Sequence, residues 1–282
     1  MKHEDNPKSI KYYVKRFYQR EQKRFKEKVV VDFPAGNGVT TNILKEIGAK
    51  PLPLDLFPEY YELESPECLK ANIAEGLPLN DSQADHLICQ EGIEHFSDQM
   101  GAFQEFNRVL KKGGGLVITT PNYSNMRAKM SYLLSESERF NSIIAPNELD
   151  SIWMNRQDIN KEVYYGHIFL IGVLKLRCLA KLAGFKIVRI ESTRKKSTSI
   201  LLGILYYPWI KFSNWITYRK RMRKNKTHSE ELKKAVYGEI YRLSTSWKIL
   251  TDAHIFIEFE KEAELDEVRE DLHSQHIEFG TT

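Results

Sequence analysis

The apolar positions of this chain follow two rhythms, one of three to four residues and one continuous. Ile10, Tyr13, Val14, Phe17 and Tyr18 recur at helical spacing with Lys and Arg between them, which predicts an amphipathic helix over residues 10–25 with a basic outer face. Val29-Val30-Val31 is unbroken by polar residues, as in a strand buried on both sides, and ends in Asp32. Gly36-Asn37-Gly38 then opens a helical pattern through Thr41, Leu44 and Ile47 to Gly48. Further strands are expected at Pro51–Asp55, at Asp85–Cys89 and after Gly113-Gly114-Gly115. A helix over 100–110, with Phe103, Phe106 and Leu110 inward, precedes the last of these. Five strands alternating with helices over 29–120, Asp85–Cys89 the fourth of them, predict a parallel sheet. The pattern loosens from Ser124 to Val163, apart from a helical stretch around 126–134. It returns at 172–183, where Val173, Leu176, Leu179, Ala180 and Leu182 share a face and Gly184 suits the C-terminal cap. Phe185–Ile190 and Ala253–Phe259 complete seven strands. The expected fold class is α/β: a Rossmann-like, doubly wound seven-stranded sheet with helices on both faces.

Composition narrows the class. A chain of 282 residues suits one enlarged α/β domain, and 41% hydrophobic residues at a mean hydropathy of −0.47 describe a soluble globular protein. Cys68, Cys89 and Cys178 are few and scattered, so no disulfide framework or Cys-rich zinc site is expected. The first residues lack the apolar core of a signal peptide, and no stretch reaches the roughly 20 apolar residues of a membrane span, so the cytoplasm is the expected compartment. The organisation predicted is a helical cap at 1–27 and a core at 28–192 and 251–260, the core carrying an insertion at about 123–165. A second insertion, basic and apolar, is predicted at 193–250. A charged tail at 261–282 has no chemistry assigned.

Three nucleotide-handling loops compete for Asp32–Gly38. A dinucleotide fingerprint would have Gly where Thr41 stands, and a phosphate-binding P-loop would have Lys after Gly38. The remaining reading is D-x-x-x-G-x-G, which resembles the loop of class I S-adenosylmethionine-dependent methyltransferases. Pro34 departs from that pattern, standing where the family usually has its first Gly. Four more segments carry the resemblance. Asp55 ends the second strand 23 residues after Asp32, a place from which a carboxylate can take both ribose hydroxyls. Asn72-Ile73-Ala74-Glu75-Gly76-Leu77-Pro78-Leu79 resembles D-x-A-E-G-L-P-F, with Asn72 for the usual Asp. Gln90-Glu91-Gly92-Ile93-Glu94-His95 resembles the stretch containing E-V-L-E-H. Leu110 to Asn122 resembles R-V-L-K-P-G-G, strand five and S-T-P-N. The resemblance implies S-adenosyl-L-methionine as cofactor and a last strand inserted antiparallel. It assigns cofactor contacts to Asp32, Pro34, Ala35, Gly36, Asn37, Gly38, Asp55, Leu56, Asn72, Ile73 and Gln90. Asp32 is expected to face the methionyl end, and Asn72 and Ile73 to border the adenine.

Methyl transfer from a sulfonium needs in-line positioning and removal of a proton from the acceptor. Glu91, Glu94 and His95 are spaced to share one face of a helix starting there. His167 precedes the next helix at the place where related quinone-pathway and small-RNA methyltransferases carry a His. Glu91, Glu94, His95 and His167 are therefore the catalytic candidates. In members of those families such a set can hold a divalent metal. E-x-x-E-H also recurs as a capping and packing element, and no metal ligand is assigned here.

From Ser192 to Ser229 there is no acidic residue. Arg194, Lys195, Lys196, Lys211, Arg219, Lys220, Arg221, Arg223, Lys224 and Lys226 supply ten positive charges. Within this stretch runs the apolar segment Ile200–Ile210, followed by Phe212 and Trp215. Three roles remain open: a lid or homodimer contact, an element at the membrane surface (200–226), or a nucleic-acid contact. The net charge of only +4 argues against a dedicated nucleic-acid binder. Leu201, Leu205, Tyr206, Trp209, Phe212 and Trp215 are expected to form an exposed or half-exposed apolar surface. The expected function is methyl transfer from S-adenosylmethionine, to oxygen, on a small-molecule or glycan- or lipid-linked acceptor. The resemblance is nearest to the small-molecule and quinone-pathway O-methyltransferases. An RNA methyltransferase or a non-catalytic cofactor-binding scaffold are the alternatives.

Overall fold

Val29–Asp32 (β1) lies inside a seven-stranded sheet, between Lys50–Asp55 (β2) and Ala84–Gln90 (β4), both parallel to it. The computed structural model describes residues 2–137, 147–149, 152–154, 163–224 and 228–275. Leu69–Lys70 (β3) extends the sheet on one side, and Leu110–Pro121 (β5) pairs with β4 on the other. The last strand in sequence, His254–Lys261 (β9), inserts antiparallel between β5 and Phe185–Ile190 (β8), giving the order β3-β2-β1-β4-β5-β9-β8. Ile152–Met154 (β6) and Val163–Tyr165 (β7) form a separate antiparallel pair in the segment where periodicity is weakest.

Alternation along β1 assigns the two faces. Val30, with Ile88, Val117 and Phe256, packs under Ile10–Arg20 (α1) and Val39–Glu46 (α3) through Val14, Phe17, Tyr18, Ile43 and Leu44. Val31, with Leu87, Leu116, Ile118, Ile257 and Phe259, packs against Gln99–Val109 (α4) and Val173–Leu182 (α6). The predicted N-terminal helix is broken at Glu21, where α1 gives way to a short turn of helix at Gln22–Phe25 (α2). Glu21 accepts from Arg20, Arg24 and Arg189, and these cations hold its carboxyl down at about 2. Arg24 and Arg189 also clamp the buried Glu258 of β9, at 2.6 and 2.7 Å, and so fix the cap to the sheet.

Met126–Ser135 (α5) occupies the predicted helical stretch, and Gly184 follows α6 in the left-handed conformation expected of a cap. Leu182 is 39% exposed, so it lies off the buried face on which its spacing placed it. Between β8 and β9 the basic insertion folds as Ser197–Lys224 (α7), Glu230–Ser244 (α8) and Trp247–Thr251 (α9). The apolar run 200–210 is part of one 28-residue helix. No helix among the described residues is long and apolar enough to cross a membrane. Leu265–Gln275 (α10) forms inside the stretch read as a tail.

Candidate active site

The sheet order reverses beside β1, and the crevice outside the carboxyl ends of β1, β2 and β4 is where ligands bind in such sheets. A cavity of about 790 Å³ opens there, within the usual range for a small-molecule site. Its floor is the turn after β1. Ala35 N–H donates to Leu54 O (2.9 Å) and Gly36 N–H to Asp55 Oδ2 (2.7 Å), while Phe57 N–H donates to Asp55 Oδ1 (2.9 Å). Asp55 therefore pins the loop to β2, and each of its oxygens keeps a second lone pair for the cavity that it lines. A side chain at Gly36 would meet nothing within 4 Å, which leaves the loop backbone open to a close-lying ligand.

Pro34, Ala35, Gly36, Asn37, Asp55, Leu56, Asn72, Ile73 and Gln90 all line this cavity. Gln90 Oε1 accepts from Thr40 Oγ1 at 2.8 Å, and Asn72 Oδ1 accepts from Ala74 N–H at 3.1 Å. Asp32 and Gly38 do not line it. Asp32 is fully buried beneath the loop, its Oδ2 accepting from Thr41 Oγ1 at 2.6 Å, and burial pushes its carboxyl up to about 7. Asp32, expected to face the cofactor, is thus buried off the cavity lining and bonded to Thr41. Gly38 is left-handed and packed under the 61–63 segment, where a Cβ would stand 2.9 Å from Leu63 Cγ.

Pro34, the departure from the family loop, is accommodated by Gly92. A Cβ on Gly92 would run into the Pro34 ring and would stand 2.9 Å from Cys89 Sγ. The proline fills space that Gly92 leaves where the resembled motif has Val.

The opposite wall carries the catalytic candidates, and they do not converge as a helix would bring them. Ile93–His95 is a single 3-10 turn, and Glu91 before it adopts φ +50°, a left-handed conformation uncommon for a residue with a side chain. Glu91 turns toward β5 and β9. Its Oε1 accepts from Thr119 Oγ1 (3.1 Å) and its Oε2 lies 3.5 Å from His254 Nε2. Burial and the nearby Glu94 hold the Glu91 carboxyl well above the usual carboxylate range, and burial brings His254 down to about 4. His254 has no motif around it and stands 163 positions from Glu91 in sequence, so only the fold could reveal the pair.

Glu94, His95 and His167 do meet, with one donor atom of each within 4.8 Å of the others. Thr120 Oγ1 donates to Glu94 Oε2 at 2.9 Å, while the buried Oε1 has no hydrogen-bond partner. Burial lifts Glu94 to about 7. His95 Nδ1 lies 2.6 Å from the Tyr165 carbonyl, to which it must donate, so the ring's lone pair is on Nε2. Burial keeps this imidazole neutral, with its pKa down at about 4. One carboxylate and two imidazoles are the donor set that would hold a divalent cation, with Glu91 outside it. Glu91 and His95 line the cavity; Glu94 and His167 do not. Lys11 of α1 also lines it and donates to Asn37 Oδ1 at 3.1 Å, a contact no motif announced.

Residues 31–118 match the family described as "Methyltransferase domain". A Mycobacterium tuberculosis protein (strain CDC 1551 / Oshkosh) named a probable S-adenosylmethionine-dependent methyltransferase is 43% identical over 56 residues, 20% of this chain and 20% of that protein. The chain thus matches only a fifth of the length of the curated relatives, the other being the same-named class of protein from strain H37Rv, also at 20%. Among solved structures, a SAM-dependent methyltransferase from Archaeoglobus fulgidus superposes with a TM-score of 0.52 at 16% identity, covering 92% of this chain and 97% of that one. The YcgJ protein from Bacillus subtilis gives 0.51 at 14% identity, covering 89% and 99%. Likeness at such identity speaks for the fold, and the sequence match speaks for residues 31–118. Residues 31–118 are thus similar to the methyltransferase-domain family, and the chain shares the fold of the solved SAM-dependent methyltransferase from Archaeoglobus fulgidus.

Proposed function

We propose that this chain transfers the methyl group of S-adenosylmethionine to an oxygen of a small-molecule or glycan- or lipid-linked acceptor. One observation carries the reading: a single cavity is walled on one side by the Gly36 loop, Asp55 and Asn72, and on the other by Glu91 and His95. The cofactor supplies an electrophilic methyl on its sulfonium. Asp55 would accept from the ribose hydroxyls through its remaining lone pairs, and the Gly36 backbone would border the cofactor. An oxygen acceptor must lose its proton as the bond forms. His95 suits that task because burial keeps it neutral and the Tyr165 carbonyl aims its lone pair through Nε2. Glu91, held by Thr119 and His254, would orient the acceptor hydroxyl in line with the methyl group.

The test is calorimetric titration of the protein with S-adenosylmethionine, with Asp55→Ala beside the wild type. Loss of charge-assisted bonds worth roughly 1.5–3 kcal/mol each should weaken binding at least about tenfold. Unchanged affinity in a folded variant would remove the cofactor from this cavity. Tritium transfer from methyl-labelled cofactor into small-molecule and lipid-linked glycan fractions then tests the acceptor. Label confined to protein or RNA would exclude it.

A further inference from the structure

Helix α7 is built inside out. The side it turns to the protein is largely small or polar, with Ile210 and Met222 also on it, and recurs at helical spacing. Ser199 bonds Asn125 (3.3 Å), Gly203 lets Trp247 approach, and the Tyr207 hydroxyl donates to Thr245 O (3.1 Å). Further along, Tyr218 meets the Tyr241 ring (6.0 Å), and Lys233 donates to Met222 O (3.2 Å). The side it turns outward is apolar: Leu201, Ile204, Leu205, Trp209, Phe212, Trp215 and Ile216 recur at three- and four-residue spacing, with Ile204–Leu205 and Trp215–Ile216 as adjacent pairs. Leu201 and Trp209 are 69% and 70% exposed, and Ile216, the most covered of the seven, is 44% exposed. A helix on a soluble body normally presents the reverse arrangement, and a contiguous exposed apolar face of this kind marks an interaction surface. None of these outward residues lines the cofactor cavity, so α7 is not its lid.

We infer that the outward face of α7 lies on an anionic lipid bilayer. Charge selects this occupant. The same stripe runs on into Arg219 and Arg223, flanked by Lys211, Lys220, Arg221 and Lys224, and α7 contains no acidic residue. None of these six cations is in an ion pair among the described residues; Arg219 instead lies 5.9 Å from the Trp215 ring and Lys211 5.6 Å from that of Tyr207. A second copy docked on this face would bring like charges together with no acid on either α7 to offset them. Anionic headgroups would neutralise them while the indole and aliphatic groups enter the boundary below, and at ~1.5 Å per residue the helix would lie along the surface for about 40 Å. Lys226, counted with this basic run from the sequence, lies outside the described residues.

Vesicle sedimentation of the full chain decides the matter, and it needs neither cofactor nor acceptor. Binding is expected to vesicles containing about a third phosphatidylglycerol, to be weak on pure phosphatidylcholine, and to decline as salt rises. Leu205→Glu with Trp209→Glu should abolish it, and Arg219→Glu with Arg223→Glu should lower the partition coefficient about thirty-fold or more. Both pairs are exposed, so their thermal midpoints and cofactor affinity should match wild type. Wild-type protein remaining in the low-salt supernatant would overturn the inference. So would variants that sediment as well as wild type, or light scattering that shows a dimer dispersed by the Leu205/Trp209 variant.

Discussion

Pro34 and Gly92 show how a departure from a motif is absorbed by a second residue across the site. The Pro34 ring is bonded into the cofactor loop, so a methyl added at position 92 must move the loop, the ring having no rotamer to yield. Gly92 itself is in the right-handed region, where Ala is conformationally acceptable. Gly92→Ala is therefore expected to weaken cofactor binding about tenfold, and Pro34→Gly in the same chain to restore most of it. The coupling would be about 1–2 kcal/mol, with some loss persisting from the contact to Cys89 Sγ. Additive effects in a calorimetric double-mutant cycle would show that the two residues do not share the space. The cluster beside them separates two chemistries. With Glu91 directed to His254, three donors are left where the resembled metal site has four, and His95 is expected to act as a proton acceptor. Chelators should leave turnover intact while His95→Ala lowers it about 10²–10⁴-fold. Inactivation by a chelator, reversed by Mg²⁺ or Mn²⁺, would place a cation on Glu94, His95 and His167. At this scale the placement of Asp55 and of Pro34–Asn37 at the cavity could be read from sequence, because their positions follow from one strand and its turn. The directions of Asp32 and Glu91 could not. The first depends on Thr41 closing over it, and the second on a left-handed backbone and a histidine supplied by the last strand.

Elements with a strong period were legible, and those whose role depends on neighbours were only partly so. The run Val29–Val31 gave a strand because no water-facing residue interrupts it. The three- and four-residue spacing of Val14, Phe17 and Tyr18 gave α1 for the complementary reason. Helix α1 serves two ends. Its middle packs on Val30, Ile88 and Phe256, while Ser9, Ile10 and Lys11 reach the cavity rim from its N-terminal end. The break at Glu21 was invisible in the pattern, since it is set by Arg189 and Arg24 on either side of a carboxylate rather than by a helix-breaking residue. For α7 the composition revealed an apolar stretch, but a hydrophobic run does not say which side of a helix is covered. That follows from Gly203, Tyr207 and Tyr218 meeting α8 and α9. The β6–β7 pair has three residues a strand, too short for a period to show. The acceptor side of the site shares this difficulty, because His95 is held by the Tyr165 and Gly166 carbonyls at the end of that pair, with the His167 ring 5.5 Å away.

In the whole molecule, buried ionisable groups pull stability in opposite directions with pH. His86 is enclosed by Tyr18, Phe25 and Gly115, with Tyr18 Oη 3.0 Å from Nε2; burial first, and then the charge on Arg24, bring it down to about 3. The unfolded chain binds a proton at this residue below about 6.5 while the folded one does not, so stability is lost as pH falls from there toward 3. His95 and His254, at about 4, act in the same sense. Asp32 and Glu94, raised to about 7, do the reverse: folded protein holds their protons, and stability falls as pH rises from about 4 to 7. The overlapping windows flatten the wild-type profile, so His86 must be isolated by a difference. His86→Gln is expected to be less stable at pH 7.5 by about 1–2 kcal/mol, through the weakened Tyr18 contact. Below pH 6.5 the gap should narrow by up to about 1.4 kcal/mol per unit, because only the wild type still has a histidine that resists protonation there. Denaturant titrations of both proteins from pH 7.5 to 4.5 provide the measurement. Parallel stability curves would mean that His86 is protonated in the folded core, and the Tyr18–His86 contact would then need a charged imidazole.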